Sequence, residues 1–122
     1  MDVVAFIAAV TTQDAAALRE YFASDAVINW HDSNESFTVD EYIRANCEYP
    51  GDWQGNVVRV HRMDDVTVTV AKIYSNDFAC YVTSFATLGV DGKIVRLDEY
   101  FSDCGEVPKW RKDMNIGMQI ID

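Results

Sequence analysis

At Trp53 the hydrophobic period of this chain changes from helical to two, and it keeps the shorter period as far as Asp103. The stretches Gln54 to Arg62, Val66 to Tyr74, Phe78 to Leu88 and Lys93 to Asp103 read as strands. They are joined by Met63-Asp64-Asp65, Ser75-Asn76-Asp77 and Val90-Asp91-Gly92. Links this short connect strands that run in opposite directions, so an antiparallel meander is expected. Asp91-Gly92 reads as a type I′ turn. Val66, Val68 and Val70 alternate with Thr67 and Thr69, the pattern of a sheet with one buried and one wetter face. Pro108 stops the last strand, and Trp110 to Ile121 is expected to pack as a short helix or an edge segment.

Before Trp53 the pattern is mostly helical. Val3, Phe6, Ile7 and Val10 share one face of a first helix with Asp2 as its cap. Asp14 caps a second, with Leu18, Tyr21 and Phe22 in one stripe and Ser24-Asp25 as its end; Ala26 to His31 then reads as a short strand. Thr38-Val39-Asp40-Glu41 is a capping box, flanked by Phe37 and Tyr42 as a hydrophobic staple, and it opens a third helix. Glu48-Tyr49-Pro50-Gly51-Asp52 is rich in turn formers and ends the helical section. The expected architecture is α+β and cone-shaped: three N-terminal helices in a strongly bent, mixed or antiparallel sheet. Its concave side is too wide for the helices to fill, and the space left over is the expected ligand site.

Charge and cysteine content narrow the function. Twenty acidic against ten basic residues give a net charge of −10, a field that repels phosphate backbones and anionic lipid. Nucleic-acid and membrane partners are therefore not expected. Cys47, Cys80 and Cys104 are widely spaced and odd in number, which suits neither a disulfide framework nor a zinc site and fits a reducing cytoplasm. Met1-Asp2-Val3-Val4 has no basic region, so no signal peptide is expected, and no apolar run approaches the ~20 residues of a membrane helix.

Three motifs, in order, resemble the nuclear transport factor 2-like superfamily, particularly its SnoaL-like branch. They are Phe22-Ala23-Ser24-Asp25-Ala26-Val27, Phe37 to Ile43, and Gly92 to Phe101. The resemblance spans nearly the whole chain and implies one SnoaL-like domain over residues 1–122 with a cystatin-like α+β fold. It implies no single reaction, because the superfamily holds isomerases, cyclases, dehydratases, hydrolases and proteins without chemistry. Compared without gaps, the tyrosine and two aspartates of ketosteroid isomerases fall at Phe6, Trp30 and Ser84, which lack those groups; a slip of one residue brings His31 or Asp32 to the base position. Limonene-epoxide-hydrolase-like members place an aspartate where Glu99 stands, but Val70-Ala71-Lys72 replaces their Arg-x-Asp pair. Dehydratases of the superfamily use two histidines and an aspartate, which His31, His61 and Asp32 could imitate.

Glu99 is the leading candidate for chemistry. It alternates with Leu97 and Phe101 on one strand face, where a carboxylate would lose hydration and rise in pKa towards general acid–base use. The opposite face, with Asp98 and Tyr100, is the competing choice, or Glu99 pairs with an arginine. Arg59, placed with Trp53, Val57 and His61, could clamp a carboxylate ligand, neutralise Glu99 or lie on the surface. Trp30, Trp53, Tyr42, Tyr49 and Phe101 could wall a pocket or simply build core. With Phe6, Ser84 and Leu97 these complete the candidate ligand-binding set, and Glu99, His31 and Asp32 the candidate catalytic one. A small apolar ligand with a polar group is expected, with no cofactor, no metal and a homodimer, because an open bent sheet leaves one apolar face to cover. The alternative is a dimeric ligand-sensing or protein-interaction module without chemistry.

Overall fold

The computed structural model describes residues 1–121. Three helices come early: α1 (Val3–Thr11), α2 (Ala15–Arg19) and α3 (Val39–Cys47). Six strands, β1 (Phe22–Trp30), β2 (Glu35–Phe37), β3 (Gln54–Met63), β4 (Val66–Tyr74), β5 (Ala79–Leu88) and β6 (Ile94–Asp103), form one curled sheet in the order β2-β1-β6-β5-β4-β3. The helices lie on its concave side, α1 across β3 and α3 against β1. The expected α+β cone is found. No helix among the described residues is long and apolar enough to cross a membrane.

The helix starts form as their sequences dictate. The Asp2 carboxylate accepts from the Ala5 amide at 3.1 Å, and Asp14 accepts from Ala17 at 3.1 Å. In the capping box Thr38 Oγ1 accepts from the Glu41 amide at 3.2 Å, while Glu41 accepts from the Thr38 amide at 2.9 Å. Phe37 and Tyr42, on either side of that box, both lie edge-on to Trp30 and tie α3 to β1. At Gly55 α1 comes so close to β3 that an added Cβ would stand 2.9 Å from the methyls of Ile7 and Thr11.

The meander from β3 to β6 is antiparallel throughout, as the short links require. Three local readings are corrected. Phe22 is not helical: α2 ends at Arg19 and Phe22 opens β1, which starts four residues before the expected strand and carries Ser24 and Asp25 within it. Of the two expected forms, mixed or antiparallel, the sheet takes the mixed one: β1 runs parallel to β6, pairing Ile28 with Leu97 and Trp30 with Glu99. No sequence period reports that long-range partner. The turn after β5 is not type I′. Neither Val90 nor Asp91 has positive φ; the Gly92 amide donates to Gly89 and Gly92 alone is left-handed, at φ 80°. Finally, the tail does not pack. Lys109–Lys112 forms one helical turn, α4, and residues 104–121 are all exposed.

The core fills one end of the cone with Leu18, Ile28, Ile94 and Leu97, each 0% exposed, and with Phe22, Val39 and Ile43 around them. Burying this cluster, worth ~25 cal/mol per Å² of apolar area removed from water, favours seating the helices on the sheet. The other end is not filled.

Candidate functional site

A cavity of about 300 Å³ occupies the open end of the cone, between α1, α3 and the concave faces of β5 and β6. Its deep part is lined by Phe6, Ile7, Tyr42, Cys80, Val82 and Glu99, all buried. Tyr49, Phe78 and Asp103, all exposed, stand at its mouth. Trp30, Trp53 and Phe101 complete the aromatic lining; Trp30 meets Phe101 edge-on at 5.6 Å, and Trp53 meets Tyr49 at 5.2 Å. The Trp53 indole nitrogen is buried without a hydrogen-bond partner and lies against Gly51. Gly51 has φ 133°, and a Cβ there would stand 2.9 Å from that nitrogen, so glycine is required on both counts.

Glu99 is the polar centre of this wall. It is 5% exposed; Ser84 Oγ donates to Glu99 Oε2 at 2.6 Å and the Trp30 indole donates to Oε1 at 3.1 Å. Burial pushes its carboxyl above the ordinary range, and the two donors pull it only part of the way back. Tyr42 is also buried, and burial together with the nearby Glu99 charge raises its phenol well above normal, so it remains a neutral hydroxyl. Burial raises the Cys80 thiol, helped by Asp103 and Cys104, so a buried and protonated Cys80 belongs to the apolar lining.

Of the residues singled out in the sequence, Phe6, Trp30, Tyr42, Trp53, Glu99 and Phe101 meet at the cavity. Ser84 stands behind Glu99 and orients it. Leu97 shares their face but is sealed in the core. Arg59 and His61 are exposed on the convex side. A bulge between Val57 and Arg59 reverses the alternation of β3, so Arg59 pairs with Val70 and His61 with Val68 while Trp53 still faces inward. His31 also lies outside the cavity: its Nε2 is 2.8 Å from Asp98 Oδ1, and its ring stacks on Tyr100 at 4.5 Å. Asp32 accepts from the Phe101 amide at 2.9 Å, which ties the end of β1 to β6. His31, His61 and Asp32 therefore form no cluster, and no group of three or more potential metal ligands occurs among the described residues.

Several lining residues were not anticipated. Phe78, Cys80 and Val82 precede Ser84 at alternate positions, so continuing the period of two would have found them. Asn46 lies one turn after Tyr42 on α3, again a legible spacing. Gln13 carries no such signal. It sits at φ 56° between α1 and α2, and its amide donates to the carbonyls of Asn46 at 2.9 Å and Tyr49 at 2.6 Å, closing the helical side of the cavity.

No protein-family model matches this chain, and no curated protein matches it. Solved structures do. An NTF-2 like protein of unknown function from Burkholderia xenovorans LB400 is 24% identical, covers 98% of this chain and 92% of its own, and superposes with a TM-score of 0.79. A provisionally assigned ketosteroid isomerase from Kribbella flavida DSM 17836 is 21% identical over 98% of this chain and 87% of its own, with a TM-score of 0.79. A hypothetical protein with a ketosteroid isomerase-like fold from Catenulispora acidiphila DSM 44928, in complex with trimethylamine, is 18% identical over 82% and 84% of the two chains, with a TM-score of 0.71. SnoaL-like proteins match as well. The chain thus has the NTF2-like fold expected from its three motifs. At these identities the likeness fixes the fold and leaves the chemistry to the site.

Proposed function

We propose that this protein binds a compact, largely apolar small molecule in the open end of the cone, with the ligand's one polar handle on Glu99. The observation that carries this reading is the placement of Glu99: a buried carboxylate at the cavity wall whose protein partners, Ser84 and Trp30, are both donors. An ionised carboxylate in a sealed core is costly without a balancing cation, whereas one at a cavity wall can meet its partner in a ligand. The rings of Phe6, Trp30, Tyr42 and Phe101 supply flat apolar contact, the composition small-molecule sites favour. The trimethylamine complex of the Catenulispora acidiphila protein is a precedent for a small ligand on this fold.

Where the ligand carries a labile proton, Glu99 is the group placed to move it. Its raised pKa brings the acid and base forms closer in population at neutral pH, which is what general acid–base work needs. Isomerisation, dehydration, cyclisation and addition of water all fit such a cofactor-independent site. The Arg-x-Asp pair expected of an epoxide hydrolase is Val70-Ala71-Lys72, of which only Ala71 faces inward and is buried.

The test is a ligand screen by thermal shift and by tryptophan fluorescence, with Trp30 and Trp53 as reporters. A ligand at a hundred times its Kd should add about 2.7 kcal/mol of stability. Ala45→Phe, which fills the cavity from α3, should abolish that gain while circular dichroism stays native. Undiminished binding in Ala45→Phe would place the ligand elsewhere and end the proposal.

A second reading concerns the convex face. Tyr81, Phe85 and Tyr100 are 39%, 39% and 44% exposed there, with no helix over them. Such a patch suits a homodimer, and a dimeric ligand-sensing or protein-interaction module would need no turnover. Sedimentation of Phe85→Glu against the parent protein decides it: a dimer through this face should dissociate.

A further inference from the structure

The cavity is acidic as well as aromatic. Among its described lining residues the carboxylates are Glu99 and Asp103, and none is a lysine, arginine or histidine. The ion pairs among the described residues lie elsewhere: Arg19 with Asp40, Arg44 with Glu48, Lys93 with Glu20, Arg96 with Asp98, Lys109 with Asp113. Glu99 is therefore a buried acid whose surroundings contain hydrogen-bond donors and no positive charge. Indole nitrogen can only donate, so Oε1 is held as an acceptor, and each carboxylate oxygen has a second lone pair that Ser84 and Trp30 leave free. Around that acid stand Trp30, Tyr42 and Phe101, whose ring faces attract cations. The −10 charge of the whole chain draws cations towards the mouth and repels anions.

We propose that the ligand is a small organic cation, an alkyl- or arylmethylammonium whose nitrogen meets Glu99 and whose carbon skirt fills the ring of aromatics. This rests on the reading that the cavity binds a ligand through Glu99, and it names the chemical class of that ligand's handle. The ammonium supplies the missing counter-charge, and Glu99 with the rings replaces the water the ammonium gives up. A volume of about 300 Å³ keeps the molecule compact. Binding also carries a proton signature. Burial favours the neutral form of Glu99 in the free protein, whereas the complex needs it ionised. Affinity for a cation should therefore fall as pH drops through the raised Glu99 pKa. The other titratable groups facing the cavity are the Tyr42 phenol and Cys80 thiol, both raised and neutral, and, at the mouth, the exposed Tyr49 phenol and Asp103 carboxylate.

Benzylamine and benzyl alcohol, equal in shape and different in charge, test this by calorimetry in about 0.3 M salt, which screens loose attraction to the acidic surface. The parent protein should bind benzylammonium about tenfold or more tightly than the alcohol. In Glu99→Gln that preference should vanish while the alcohol still binds, which also shows that the variant is folded. Alcohol binding equal to or tighter than amine binding would overturn the cationic ligand and leave the cavity reading standing. A preference that survives in Glu99→Gln would place the charge recognition away from Glu99 and overturn the proposal. Binding of neither probe would overturn it too, and a separate success of the wider screen would then show that the cavity takes neutral ligands of another shape.

Discussion

Asp98 and Glu99 are consecutive carboxylates on β6, and the sheet sends them to opposite fates. Burial lifts both, but on the convex side hydrogen bonds from Arg96, His31 and Asn29 outweigh it and hold the Asp98 carboxyl well below the usual range. On the concave side Glu99 has Ser84 and Trp30 and no cation, so burial prevails and its pKa rises. The difference lies in the neighbours that each face brings. Arg96 is two residues from Asp98 on the same strand, and His31 follows β1, which is hydrogen-bonded alongside. Asp98 is thus satisfied within the protein, whereas Glu99 retains unspent acceptor capacity towards a cavity. A satisfied acid is structural; an unsatisfied one at a hollow is where a ligand's charge or a mobile proton belongs.

The comparison can be broken most forcefully at the sealed end of the concave face. Leu97→Ala, at a 0% exposed position in line with Glu99, should cost about 2–5 kcal/mol in denaturant titration. A loss under 1 kcal/mol would mean that the cavity extends that far and that the face has no sealed end. Next comes Asp98→Asn. Because the folded pKa of Asp98 is depressed, its contribution is present above the unfolded value near 4 and is lost as pH falls below it. At pH 7 the variant should lose about 1 kcal/mol, a figure kept small because the hydrogen-bond partners Arg96 and His31 are partly exposed. That deficit should shrink towards pH 3.

Glu99→Gln should show the opposite slope. A carboxyl whose folded pKa is raised burdens the native state as pH climbs from its unfolded value towards its folded one, and the burden then levels off. Ligand-free Glu99→Gln should therefore match the parent protein near pH 4 and exceed its Tm at pH 8. Parallel pH slopes for the two variants would remove the contrast between the faces. The smallest effect is expected at Arg59 and His61, which the bulge in β3 turns outward. Their alanine variants should leave cavity binding unchanged and stability within about 0.5 kcal/mol; a clear loss of ligand affinity would put them back at the site.

Much of this was readable from local chemistry. The capping box at Thr38 and Glu41, the cap at Asp2 and the meander with its short links each depend on residues close in sequence, and each forms as read. That Leu97, Glu99 and Phe101 share one face follows from alternation on a regular strand, whereas the choice of that face over the one with Asp98 and Tyr100 came from the packing. Alternation failed on β3 because one extra residue at the bulge inverts every later side chain, and nothing in Val57-Val58-Arg59 announces it. The helical stripe through Phe22 failed for a related reason: an apolar residue next to a short helix fits a strand equally well until its partner, here Ile94, is known.

The sequence by itself determined the helix starts, the antiparallel meander and the sharing of one strand face by Leu97, Glu99 and Phe101, because those follow from propensity, capping and period over a few residues. Only the tertiary structure decided that β1 runs parallel to β6, that Arg59 and His61 face away from the cavity, and that Gln13 and Asn46 close it. It alone decided that no cation stands beside Glu99. Each of these depends on which distant segments come together, and a carboxylate's state is set by neighbours that share its space rather than its stretch of chain.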